Sequence, residues 1–152
     1  MHEFKDFADA WRANQALCLE MLAACSAADF ELKPGSGKTI RSNFVHLVSV
    51  RRLWCEEGLK AAAAGVPKLD WKTANRDEIA EGLRLSSEAV LQLLEKRFHS
   101  EKPNRWTFPM FFAYVIAHEA HHRSQIEISW RMHKSGPEDL ALYGMWEWHK
   151  KI

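Results

Sequence analysis

Net charge is nearly absent from this 152-residue chain: 21 lysines and arginines face 20 aspartates and glutamates, a formal +1. That balance excludes the broad basic footprint by which proteins hold nucleic acid or anionic membranes. Long apolar runs are missing as well. The longest uncharged stretch, Trp106 to Ala117, falls far short of the ~20 residues that span a bilayer. The opening Met1-His2-Glu3-Phe4-Lys5-Asp6 lacks the basic-then-apolar order of a leader, so a cytoplasmic location is expected. Cysteine is scarce: Cys18, Cys25 and Cys55 form an odd set without a CxxC pair. Such usage points to reduced thiols, with Cys18 and Cys25 serving as small core hydrophobes. No strand pattern, internal repeat or low-complexity segment is visible.

What remains is helical periodicity. A hydrophobic share of 47% and a charged share of 27% suit an ordinary globular protein, and the length suits one domain over residues 1–152. Apolar spacing predicts a first helix from Phe4 to Cys25, with Phe7, Trp11, Cys18 and Leu22 near one face. Pro34, Gly35 and Gly37 break the chain over 27–38. Thr39 is a fitting N-cap for a second helix that runs to Ala64 and is closed by Gly65-Val66-Pro67. Asn75-Arg76-Asp77-Glu78 has the form of a capping box and opens a third helix with a buried stripe from Ile79 to Phe98. After a break containing Pro103, a fourth helix starts near Thr107 or Phe108 and ends near Lys134, before Gly136-Pro137. The tail, Leu140 to Ile152 with Tyr143, Trp146 and Trp148, is expected to fold back. The fold class expected is all-α: an antiparallel four-helix bundle with a short C-terminal tail packed on it.

The richest chemistry lies in His118-Glu119-Ala120-His121-His122-Arg123. At about 100° per residue, His118 and His122 share the apolar face with Phe111, Val115 and Ile126. His121 falls toward Tyr114 and Gln125 at the margin, and Arg123 falls on the side opposite the core. Two imidazoles at i and i+4 on a desolvated face suit one divalent metal. A third ligand has to come from another helix, and His46, inward on helix two with Val50, Leu53 and Trp54, is the best candidate. Glu57 on the same helix lies ~16 Å further along the axis, too far to join. Cys55 faces away from His46, and His2, His99, His133 and His149 sit at ends or exposed turns.

Two motif matches mislead. His118-Glu119-x-x-His122 fits the HExxH of zinc proteases, but those enzymes set the helix under a sheet, and no suitably spaced downstream ligand follows. Pro34-Gly35-Ser36-Gly37-Lys38-Thr39 ends like a phosphate-binding loop, yet Leu32 stands where its first glycine belongs.

The stretch Lys33-Pro34-Gly35-Ser36-Gly37-Lys38-Thr39-Ile40-Arg41-Ser42-Asn43-Phe44-Val45-His46-Leu47 resembles the Pro/Gly loop and first metal histidine of the DinB/YfiT-like superfamily. His118-Glu119-Ala120-His121-His122-Arg123-Ser124-Gln125-Ile126 is similar to that family's HxxxHRxQ signature. The resemblance implies a homodimeric bundle with a zinc or nickel ion held by His46, His118 and His122. It also implies a relation to thiol S-transferases and thiol-dependent isomerases. The function expected is a metal-dependent enzyme that joins a small-molecule thiol to an electrophile. His121, Gln125 or Tyr114 would orient the thiol. The alternatives are a hydrolase working through metal-bound hydroxide, with Glu119 or His121 moving protons, and a non-catalytic dimeric metal- or ligand-binding protein. Neither nucleic acid nor membrane is expected as a partner.

Overall fold

A computed structural model describes residues 3–101, 106–138 and 144–152. His2, Pro103, Leu140 and Tyr143, which figure in the expectations above, lie outside the described residues. All regular structure among the described residues is helical. Four long helices are α1 (Phe4–Ala24), α2 (Ile40–Gly58), α4 (Arg76–Phe98) and α5 (Phe108–His133); a single turn, α3 (Lys60–Ala63), lies between α2 and α4. Short 3-10 turns occupy Ala28–Glu31, Gly144–Trp146 and Trp148–Lys150.

The helix starts follow their caps. The Thr39 hydroxyl accepts the Ser42 N–H at 3.1 Å, opening α2. At α4 the capping box is complete: Asn75 accepts from the Glu78 N–H, and Glu78 accepts from the Asn75 N–H. Helix α2 stops at Gly58, short of the Ala64 that helix propensity predicts. Leu59 leaves the helical region (φ −156°, ψ 72°), and the four alanines form the separate turn α3 and its end. Packing explains the stop. A side chain at Gly58 would come within 2.5 Å of Leu93 Cδ1 on α4, so the Leu93 side chain fills the space beside the glycine where the chain turns away.

Helix α2 packs on both α4 and α5, while α1 covers α4 and part of α5. Trp11, Phe44, Leu47, Ile79, Leu83, Leu93 and Trp130 are buried between them. Phe7, Phe98 and Phe108 meet at 4.8–5.7 Å and join α1, α4 and the start of α5. The described tail lies against α1, where Lys151 Nζ donates to both oxygens of Glu20 at 2.7 and 2.8 Å. No described helix is long and apolar enough to cross a membrane. Cys18, Cys25 and Cys55 are unpaired and buried.

Candidate metal centre

One turn and a half into α2, and halfway along α5, three imidazoles converge. Ring centroids are 4.5 Å apart for His46 and His122, 4.7 Å for His118 and His122, and 5.5 Å for His46 and His118. One ring nitrogen from each lies within 4.8 Å of the others, close enough for a single ion to be shared. The i, i+4 spacing brings the α5 pair together, and the α2–α5 packing delivers His46.

Asn43 sets the proton on one of these rings. Its side-chain NH2 donates to the carbonyls of Lys38 (3.3 Å) and Thr39 (3.0 Å), which turns Oδ1 toward α5. That oxygen stands 2.9 Å from His122 Nδ1. Nδ1 therefore carries the proton and donates, leaving the Nε2 lone pair free for a metal. Sequence reasoning passed over Asn43; the signal was a buried amide three residues before an inward histidine, on the same helical face. His118 Nδ1 is buried without a hydrogen-bond partner, and Trp54 and Tyr114 flank that ring at 5.3 and 6.1 Å. An orphaned ring nitrogen in a cluster of neutral imidazoles fits a site built for a cation.

Lys38 ends the Pro/Gly loop, whose tight turn is closed by the Gly37 N–H donating to the Pro34 carbonyl at 2.8 Å. The loop is no phosphate cradle, but its lysine acts on the cluster. Burial pushes the His122 imidazole down to about 3, aided by His46, His118 and the Lys38 ammonium. Burial with Lys38 and His118 pushes His46 down to about 4, and His118 is lowered chiefly by burial. All three rings are thus neutral at pH 7, the form that ligates metal.

The sequence pattern of the DinB superfamily matches residues 10–126. The chain belongs to the DinB superfamily. No protein of curated function and no solved structure matches it.

Glu119 and Arg123 do not join the histidines of this DinB chain. Glu119 is fully buried on the neighbouring stripe of α5, where Arg51 Nε and Nη2 donate to its two oxygens at 2.8 and 2.6 Å. Asn14 and the Cys18 thiol also donate to it, each at 3.3 Å. Arg123, expected on the solvated side, is buried and donates to Asn14 Oδ1 at 2.6 Å. Its helical angle puts it on the side of Ser124, Glu127 and Arg131, whereas Asn14 and Glu119 take up its charge inside. His121 is exposed, with its ring 5.0 Å from that of His122, and Gln125 is half-buried. Cys55 is buried in the core and Glu57 is exposed; neither is in the three-histidine group.

The lowered imidazoles have a consequence for stability without metal. An unfolded histidine takes a proton near 6.5, while folded His46 and His122 refuse it until about 4 and about 3. The unfolded state then binds more protons in that interval, so stability present above about pH 6.5 is lost as pH falls toward about 4. Melting of chelator-treated protein should fall across this interval. The fall should flatten between about pH 6.5 and 5, where carboxylates still stay ionised, in a His46→Gln/His122→Gln double variant. An identical profile for that variant would refute the assignment.

Proposed function

We propose that this DinB protein is a metal-dependent enzyme of the thiol S-transferase type, with His46, His118 and His122 holding a divalent ion, zinc or nickel. Bound there, such an ion would supply the Lewis acidity that turns a substrate thiol into thiolate at neutral pH. His46 and His118 are half-buried, so one side of the cluster is within reach of a small molecule. The transfer itself forms a sulfur–carbon bond to an electrophile. The leaving group departs with its bonding electrons, and the thiol proton passes to solvent.

The observation that carries this reading is the engagement of Glu119. Its carboxylate is sealed in the Arg51 ion pair, and the three-histidine group includes no carboxylate. Glu119, one of the two groups a hydrolase would use to move protons, is thereby withdrawn, whereas a thiol with a pKa near 8.5 ionises with less help than water. The substrate supplies the sulfur, because the chain's own thiols are withheld: burial pushes Cys18 and Cys55 up to about 11 and Cys25 up to about 12. The chain's contributions are then orientation and shelter. Asn43 fixes the ring of His122, and Trp54 and Tyr114 wall the cluster. The Lys38 ammonium favours an approaching anion. His121 and Gln125 remain the candidates for orienting the thiol.

We read the four long helices as an antiparallel bundle and the molecule as a homodimer. Support for the dimer lies on α5, where Met110 and Tyr114 near its start and Ile128 and Met132 near its end are exposed. Three unpaired thiols suit a reducing compartment such as the cytoplasm.

The test begins with protein purified without added metal. Zinc or nickel should be present by elemental analysis, and sedimentation should give a dimer. Metal-dependent loss of thiol is expected with a low-molecular-weight thiol and an alkylating electrophile. Turnover of esters or amides with no thiol consumed would reject the transferase reading. Metal-induced stabilisation with no turnover on either panel would make the protein a binding module instead.

A further inference from the structure

Away from the histidines, the ends of α2 and α4 and the start of α5 enclose a cavity of about 740 Å³. Its lining includes Glu57, Leu93, Lys96, Arg97, Trp106 and Phe108. This volume lies within the range of small-molecule sites, about 300–1,000 Å³. None of the three histidines lines it. Phe111 and Trp54 stand between: Arg97 lies 4.0 Å from the Phe111 ring centre, Phe111 6.2 Å from Trp54, and Trp54 5.3 Å from His118.

The electrostatics of this cavity are unbalanced. Arg97 is half-buried, and its Nε is buried without a hydrogen-bond partner. Burial disfavours its charge, and the opposing influence is the field of Glu57, an exposed carboxylate. Lys96 Nζ donates at 2.8 Å to the Gly58 carbonyl, a neutral acceptor. Thr107, the N-cap of α5, makes no side-chain cap bond, and the positive end of that helix dipole is directed to the same place. Basic residues in the last turn of α4 complement its carbonyl end, which accounts for their position. It supplies no acceptor for the Arg97 guanidinium, which stacks on the Phe111 ring and lines the cavity.

We propose that this cavity binds a small organic carboxylate, with its anionic end on Arg97 and its flat apolar body against Trp106 and Phe108. The two Nη groups, unlike the buried Nε, form the accessible edge of the guanidinium and match the two oxygens of a carboxylate. Lys96 and the α5 N-terminus add positive potential, and Leu93 completes the apolar wall. The site is independent of metal, so it stands or falls separately from the thiol-transferase reading.

Benzoate is the probe, titrated into the chelator-treated full chain while the Trp106 indole N–H and Arg97 Nε–H resonances are followed by NMR. Saturable shifts of both are expected, with the neutral analogue benzyl alcohol at least about tenfold weaker. Arg97→Gln should weaken benzoate about tenfold, Arg97→Lys less, and Arg84→Gln on the exposed face of α4 not at all. If Arg97→Gln fails to fold, the contrast of benzoate with benzyl alcohol in the native sequence decides. Equal binding of the two probes, undiminished binding to folded Arg97→Gln, or no saturable shift with benzoate overturns the proposal. Phenyl phosphate binding more tightly than benzoate would overturn the carboxylate class in favour of phosphate monoesters.

Discussion

Glu119→Ala is expected to cost about 3–5 kcal/mol of folding free energy, the effect of breaking a buried ion pair on one side. Arg51 and Glu119 are each 0% exposed, so the guanidinium left behind has no water to return to. Its remaining partners would be neutral: Gln15 Oε1 at 2.7 Å, the Leu83 carbonyl at 3.0 Å, Ser86 Oγ at 3.4 Å and Cys18 Sγ at 3.8 Å, with the Trp11 ring beneath at 5.0 Å. Glu119→Gln retains one acceptor and should lose less. Removing both charges together, as Arg51→Met with Glu119→Leu, should restore much of the loss, because the desolvation cost disappears with the attraction. Urea unfolding of the four members of this cycle measures the coupling directly. Single variants within about 1 kcal/mol of the native protein would show that the pair is not the structural bond described above.

The second large effect concerns metal. Alanine at His46, His118 or His122 should each remove the bound ion, as measured by elemental analysis after gel filtration. Full occupancy in two of these three variants would end the metal assignment. Asn43→Ala tests the shell behind them, with an expected loss of about 10–100-fold in affinity in competition with a chromophoric chelator. Asn43→Asp keeps an oxygen for the His122 N–H while losing the donors to Lys38 and Thr39, so its affinity should lie between. Equal affinities for the native chain and Asn43→Ala would show that the ring is held by other means.

The two α5 ligands and their partner on α2 were legible because periodicity converts directly into a face, and apolar neighbours mark that face as inward. The Asn75–Glu78 box was legible for the same local reason. Glu119 and Arg123 were not. Helical angle put Arg123 on the far side and left Glu119 as a proton carrier, whereas Asn14, Cys18 and Arg51 from two other helices engage both charges in the core. Arg51 carried a hint, since it interrupts the apolar row of Phe44, Leu47, Val48 and Cys55. The end of α2 was hidden differently. Alanine propensity argued for continuation, while the close approach of Gly58 to Leu93 is a tertiary fact. Asn43 offered only its spacing from His46, and its role came with its three hydrogen bonds.

Along α5, a histidine that faces the cluster is followed each time by a residue anchored in the core: His118 by Glu119, His122 by Arg123. A slip of one residue in one direction would push carboxylate and guanidinium into the place of the imidazoles, and in the other it would set His118 opposite Arg51. The helix thus has a single admissible rotation about its axis. The aim of the two rings is set by an ionic lock on the neighbouring stripe, before any ion arrives.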